Sequence, residues 1–380
     1  MTVRARATLV AATATALSLA VAVPAFAAPS GGQHTATRDA MRAAVQDGVP
    51  GVTATVRDSR GTWRATEGVG NLKTGAPRSA DDTYRVGSIT KTFVSTVILQ
   101  LEAEGELSLD DTVDSWLPGL VTGNGHDGRK ITVRQLLNHT SGVFSYTADD
   151  AFAQEIFLKE GFFKNRFRTY APQELVARAM EHAPDFAPGT SWNYSNTNYI
   201  LAGLVIEKVT GRPYGEAVRD RIIDPLDLDD TFVPAGRPTL GEQHSRAYSK
   251  LALTADGPSY DVTVFNPSAA GAAGEMVSDS SDLNRFMSAL LRGKLLPPEQ
   301  LKKMKNTVPA PGVPNATYGL GLIEQKLSCG ITVWGHGGGI HGSSTESVTT
   351  ADGKHSLAFN FNGDWSGDSQ AVIEAEYCGK

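Results

Sequence analysis

Apolar residues recur every three to four places through "TATRDAMRAAVQDG" (residues 35–48), which predicts a helix closed by a glycine. The pattern then changes to alternation. "GVTATVRD" and "TWRATEGVG" flank Ser59-Arg60-Gly61 and predict an antiparallel hairpin. Helical spacing returns in "TVRQLLNH" (132–139), "PQELVARAMEH" (172–182), "NTNYILAGLVIEKVTG" (196–211) and "DLNRFMSALLRG" (282–293). Strand patterns reappear only near the C-terminus, in "YGLGLIEQKL", "GITVWG", "TESVTT" and "HSLAFNF", before a final helix "SQAVIEAEYC" (369–378).

Strands at both ends with helices between them have a simple solution: an α/β fold with one antiparallel sheet of about five strands flanked by helices, plus a second, mostly helical lobe. The expected sheet domain comprises residues 28–104 and 270–380, and the helical domain residues 105–269. A cleft between two lobes is a usual place for a ligand.

The first residues follow another logic. Arg4 and Arg6 precede the apolar run "ATLVAATATALSLAVAV", and "PAFAA" supplies small residues at Ala25 and Ala27. This predicts an export signal over residues 1–27, cut between Ala27 and Ala28, and a secreted protein. An uncleaved membrane anchor is the alternative; the threonines and the cleavage site speak against it. With no cysteine beside that site, lipid attachment is excluded.

Composition narrows the partners. Of 380 residues, 20% are charged and 41% apolar, which is globular, and the net charge of −6 comes without any Lys/Arg-rich run. Nucleic acid is therefore not an expected partner. Two cysteines, Cys329 and Cys378, enter an oxidising compartment. Paired, they close a long loop that contributes up to about 4 kcal/mol by restricting the unfolded chain. Two free thiols, or half a metal site, are the other readings.

Chemistry concentrates in three places. In "RVGSITKTF", Ser88 is the only serine with a lysine three positions later. A helix beginning near Ser88, with Phe93, Val94, Val97, Ile98 and Leu101 facing a core, sets Lys91 beside the serine hydroxyl. Desolvated there, the amine is a base for a nucleophilic serine. An isolated S-x-x-K is more often a serine cap beside a solvated lysine. The second place is "WNYSNTNY", where Tyr194, Ser195 and Asn196 form a polar loop ahead of a helix. A tyrosine near a lysine can relay a proton, and an asparagine amide can hold a carbonyl; a plain capping turn is the competing reading. The third is "WGHGGGIHG" (334–342). Glycines at a strand edge let a substrate approach the backbone, and one N–H there, with that of Ser88, would form an oxyanion hole.

Two look-alikes fail. Residues 337–342 fit G-x-G-x-x-G, but a strand rather than a helix follows, which argues against dinucleotide binding. HGGG also occurs in lipases, ahead of a G-x-S-x-G that this chain lacks. His336 and His341 have no metal-site spacing around them.

S-x-x-K, Y-x-N and H-G-G in that order resemble the penicillin-recognising serine hydrolases, the family of low-molecular-weight DD-carboxypeptidases and class C β-lactamases, and within it the secreted actinomycete type. The likeness runs through "LQLEAEGELSLDDTVDSWLPGL", "ITVRQLLNHTSG" and "CGITVWGHGG" to the terminal "YCGK". The resemblance implies Ser88 as acylated nucleophile, Lys91 as its proton partner and Tyr194 as general base or relay. Asn196, His336, Gly337 and Gly338 would contact substrate, and the N–H groups of Ser88 and Gly339 would form the oxyanion hole. It also implies a Cys329–Cys378 disulfide. No metal or organic cofactor is implied, and the expected state is a monomer.

One departure bears on substrate. Relatives of that type carry H-T-G-T where this chain has His336-Gly337-Gly338-Gly339, and an arginine that grips a substrate carboxylate falls at Ile323, with Lys326 nearby. The expectation is thus a secreted serine hydrolase of DD-carboxypeptidase or D-peptidase type acting on D-amino-acid peptides. Esters or β-lactams are alternative substrates, and a penicillin-binding protein without turnover is the alternative role.

Overall fold

In the computed structural model, which describes residues 34–379, the first periodic segment forms helix α1, Thr35–Gln46. The predicted export signal lies outside the described residues. Strands β1 (Gly51–Asp58) and β2 (Gly61–Gly68) make the expected hairpin, Asp58 pairing with Gly61. The sheet resumes with β3 (Val308–Pro309), β4 (Ala316–Tyr318), β5 (Ile323–Lys326), β6 (Thr332–Ile340), β7 (Ser343–Thr350) and β8 (Ser356–Phe361). Their order is β2-β1-β8-β7-β6-β5-β4-β3, with every pairing antiparallel.

Eight strands stand where about five were expected. "YGLGLIEQKL" divides because Gly321 takes φ 68° and Gly319 N–H turns back to the Leu322 carbonyl at 2.7 Å. A two-residue edge strand then ends at Pro309, a position that tolerates a residue without an N–H.

The period-two pattern sorts residues onto the two faces. Leu357, Phe359 and Phe361 share a core with Val52, Ala54 and Val56, under α1 and the C-terminal helix α5 (Ser369–Cys378). Ala358 and Trp334 point the other way, into the larger core with helices α2 (Thr90–Ala103), α3 (Asn196–Thr210) and α4 (Ser280–Leu291). Both faces are covered, so β1 and β8 read as nearly continuous buried runs.

Helix α2 departs from the one-faced pattern expected of it. Every residue from Thr90 to Leu99 is buried, polar ones included. The hydroxyls find partners inside: Thr92 donates to the Gly321 carbonyl, Thr96 to the Thr92 carbonyl, and Ser95 meets the Tyr199 phenol. Phe93 stacks on Phe286 with ring centroids 3.7 Å apart, fixing α2 to α4. Central burial of α2 makes its N-terminus a rigid support. The described residues form one compact unit, and the boundaries expected after residues 104 and 269 fall within it.

A disulfide joins Cys329 to Cys378, ties the end of α5 to the β5–β6 turn, and excludes the free-thiol and metal readings. Among the described residues, no helix is long and apolar enough to cross a membrane.

Candidate active site

The segment before Ser88 is pinned first. Arg85 is 2% exposed and donates to the carbonyls of Pro238, Thr263 and Phe265. A single 3-10 turn, Gly87–Ile89, then carries Ser88 into α2. Gly87 has φ 53°, and a side chain there would meet the Gly339 nitrogen at 2.8 Å. On the facing strand, a Cβ on Gly338 would come within 1.9 Å of the Val86 carbonyl and 2.8 Å of the Ser88 nitrogen. Glycine at both places is what lets β6 touch the Ser88 turn, bringing the N–H-bearing segments of Ser88 and Gly339 together. Gly339 itself faces open space.

Lys91 lies in the first turn of α2 and is fully buried. Its Nζ stands 2.9 Å from Ser88 Oγ, 2.8 Å from Asn196 Oδ1 and 2.6 Å from the Ala273 carbonyl oxygen. The solvated-lysine reading of S-x-x-K is therefore excluded. Burial pulls its pKa well below the usual lysine range, and no carboxylate offsets it. The Nζ also lies 4.8 Å from the Tyr194 ring centroid.

The capping reading of "YSN" fails as well. Ser195 sits at the start of α3 without a side-chain capping bond. Asn196 spends its carbonyl on Lys91 and its amide on Thr147 Oγ1 at 3.0 Å. Tyr194 reaches the Ser88 hydroxyl, and burial pushes its phenol pKa up. Ser88, Lys91, Tyr194 and Asn196 thus converge.

His336 is brought to the same cleft with both ring nitrogens engaged. Nδ1 donates to the Gly337 carbonyl at 2.5 Å, and Nε2 accepts from the Tyr318 hydroxyl at 2.9 Å. Burial and the proximity of Lys91 lower its pKa to about 3, so the ring is neutral. Beneath Tyr194 lies His139, its ring centroid 4.3 Å away, with Nδ1 accepting from Ser195 N–H and the Asn198 amide.

Ser88 separates two cavities. One, on the Asn196 side, is aromatic and lined by Tyr146, Phe152, Phe162, Phe265 and Ile340. The other, on the Tyr194 side, is lined by Ile323, Gln325, His336, Gly337 and Glu346, with no lysine or arginine on its wall. Ile323 pairs with Gly335, next to His336, whereas Lys326 is exposed and outside the cavity lining. The nearby lysine does not restore the missing cation.

Sequence reasoning missed several members of the site. Ala273 contributes a backbone oxygen, and Ser145 Oγ accepts from Asn196 N–H at 3.1 Å. Thr147, Tyr318 and Glu346 also escaped it; none sits in a motif. His139 lies within "NHTSG", a stretch shared with the family, and that was the available signal.

Comparison with known proteins agrees with this geometry. The chain is 60% identical to a D-stereospecific amidohydrolase from Streptomyces sp., covering 92% of this chain and 99% of that one, with a TM-score of 0.87. It is 28% identical to a D-amino acid amidase from Ochrobactrum anthropi SV3, covering 91% and 99% of the two chains, with a TM-score of 0.78. Among curated proteins it is 28% identical to "Penicillin-binding protein 4" of Amycolatopsis lactamdurans over 65% of this chain, and spans 60% of that protein's length. The family model named Beta-lactamase matches residues 33–372, and the chain belongs to that family of penicillin-recognising serine hydrolases.

Proposed function

We propose that the protein hydrolyses amides, esters or peptides of D-amino acids through an acyl-enzyme at Ser88. The observation that carries this reading is the position of Lys91 Nζ, 2.9 Å from Ser88 Oγ with its remaining partners both acceptors. Asn196 Oδ1 and the Ala273 carbonyl take two amine hydrogens, which leaves the lone pair of a neutral amine facing the serine O–H. The lowered pKa of Lys91 supports that protonation state.

The steps follow. Ser88 Oγ attacks the substrate carbonyl carbon while its proton passes to Lys91. The oxyanion is met by the N–H groups of Ser88 and Gly339, each worth about 3 kcal/mol to the transition state. As the carbon–nitrogen bond breaks, the leaving amine takes a proton from the Lys91–Tyr194 pair. Water then attacks the ester carbonyl and gives a proton to the pair, which passes it to Ser88 Oγ as the carbon–oxygen bond breaks and the acid is freed.

The D-amino-acid class is supported by the two structural relatives, whose names give that stereochemistry. Carboxypeptidase action has less support, because the Tyr194-side cavity lacks a cation for a free C-terminus. The aromatic cavity on the Asn196 side suits the side chain of an apolar or aromatic D-residue. Export remains part of the proposal and is supported by the disulfide.

The test is a panel of D- and L-phenylalaninamide, a D-Ala-D-Ala peptide, a short ester and a chromogenic cephalosporin, run beside fluorophosphonate labelling. Turnover of the D-amide, with labelling lost in Ser88→Ala, is expected. Equal labelling of that variant, or preference for the L-amide, overturns the proposal.

A further inference from the structure

The wall of the Tyr194-side cavity holds a carboxyl group that the acylation chemistry does not use. Glu346 stands on β7 opposite Gly337 of β6. A Cβ on Gly337 would lie 2.7 Å from both of its carboxylate oxygens. The absent side chain of Gly337 is thus what admits the carboxyl group to the strand edge beside the nucleophile. Glu346 Oε1 accepts from Ser369 Oγ at 3.3 Å, a long bond, and among the described residues no protein donor is found for Oε2. The remaining polar lining nearby, Gln325, Ser369 and Gln370, is neutral. Among the lining residues Glu346 is the one carboxylic acid, none is a lysine or arginine, and His336 is neutral.

Which half of the substrate enters this groove follows from the proton path. Tyr194 lines it, and the phenol belongs to the pair that protonates the leaving group. The aromatic cavity on the opposite side takes the acyl half. Resting on the acyl-enzyme reading above, we infer that Glu346 makes the Tyr194 side a leaving-group subsite selective for a positively charged leaving group and against a carboxylate. This replaces a cation that would hold a free C-terminus with a group of the opposite sign. Substrates would then be D-aminoacyl amides or esters whose leaving half ends in an ammonium.

Burial raises the Glu346 pKa to about 7, against the Ser369 hydrogen bond. The selectivity therefore has a direction in pH: it is weak while the carboxyl is protonated and appears as pH rises through about 7. The groups facing it do not obscure this. His336 on β6 is neutral down to about 3, β8 carries no ionisable residue between Ser356 and Phe361, and α5 presents Ser369 and Gln370. Glu374, further along α5, is engaged by Ser328 and Gln370.

The experiment uses three phosphonate thioesters with one phosphorus centre and matched leaving thiols ending in trimethylammonium, tert-butyl or carboxylate. Ser88 Oγ forms the P–O bond as P–S breaks, and the serine proton leaves on the thiol through the site base, so acyl specificity is bypassed. Rates of Ser88 modification are read by intact mass between pH 5.5 and 8.5. The ammonium-to-neutral rate ratio is expected to rise about ten-fold across pH 7, with the carboxylate reagent slowest at pH 8.5. In Glu346→Gln the ratio is expected to be flat with pH and low. Taking a ratio removes titrations common to all three reagents, Lys91 included. A wild-type ratio that stays flat overturns the inference without recourse to the variant, and so does a rise that persists in Glu346→Gln. Labelling without charge discrimination sinks only the Glu346 assignment. No modification of Ser88 by any reagent sinks the acyl-enzyme reading and this inference with it.

Discussion

The amine of Lys91 lies 2.6 Å from the carbonyl oxygen of Ala273, nearer than to the Ser88 hydroxyl at 2.9 Å. That carbonyl orients the amine without charging it, since a backbone oxygen carries no formal charge to hold an ammonium in place. Replacing Lys91 with Met should lower kcat/KM about a thousand-fold, the scale of losing a positioned base. In the wild type, activity should fall as pH drops through the lowered lysine pKa, because protonation removes the lone pair. Stability should move the other way: Lys91→Met is expected to be more stable than wild type at pH 7. The unfolded lysine binds a proton that the folded one resists, so the difference shrinks as pH climbs toward the ordinary lysine value. Urea unfolding at two pH values, with kinetics on the same samples, checks both.

Gly338→Ala tests the contact between β6 and the Ser88 turn. The new methyl would stand 1.9 Å from the Val86 carbonyl, so strand and turn must separate. Loss of oxyanion geometry should cost about a hundred-fold in kcat, and overpacking about 1–3 kcal/mol of stability. A variant retaining near-normal kcat would show that these backbone groups are not aligned for catalysis.

Glu275 gives a pH-dependent stability prediction away from the chemistry. It is 4% exposed, accepts from the Tyr214 phenol, and burial raises its pKa to about 7. A raised carboxyl pKa means the folded state holds its proton longer than the unfolded chain. The associated stability is complete below the unfolded value near 4.5 and declines as pH rises to about 7, by on the order of 3 kcal/mol. Glu275→Gln should flatten that slope in denaturant titrations between pH 4.5 and 8. An unchanged slope would remove Glu275 from the account.

Reducing the Cys329–Cys378 bond opens a loop of 49 residues in sequence separation, which corresponds to about 4 kcal/mol in the chain-entropy model. The midpoint of unfolding should drop accordingly in Cys329→Ser/Cys378→Ser. If the proposed export signal is removed, mass spectrometry of the protein recovered from the medium should show a chain that starts at Ala28.

How much of this was legible depended on whether a role sits in contiguous residues. Ser88 and Lys91 share one helical turn, and Tyr194 and Asn196 share one loop, so local spacing exposed both pairs. The burial of Thr92, Ser95 and Thr96 was not readable, because their hydroxyls are satisfied by Gly321, by the Tyr199 phenol and within α2 itself. The Ala273 carbonyl leaves no residue-type signal at all. Nothing in "TESVTT" set Glu346 apart; only the pairing with Gly337 shows where its carboxyl group goes. The β4–β5 break was hidden in the same way, since a single glycine conformation creates it.

The neighbours β1 and β8, second and third in the sheet, come from opposite ends of the chain, Val52 pairing with Phe361. A nascent polypeptide emerging N-terminus first therefore holds β1 with an unsatisfied inner edge until Ser356–Phe361 arrives about 300 residues later. Any translation product that stops before Ser356 lacks the strand that joins the β1–β2 hairpin to the rest of the sheet, so the native sheet closes only once that segment is available. Such late closure would suit the proposed export, in which a chain is threaded through a narrow pore before it collapses.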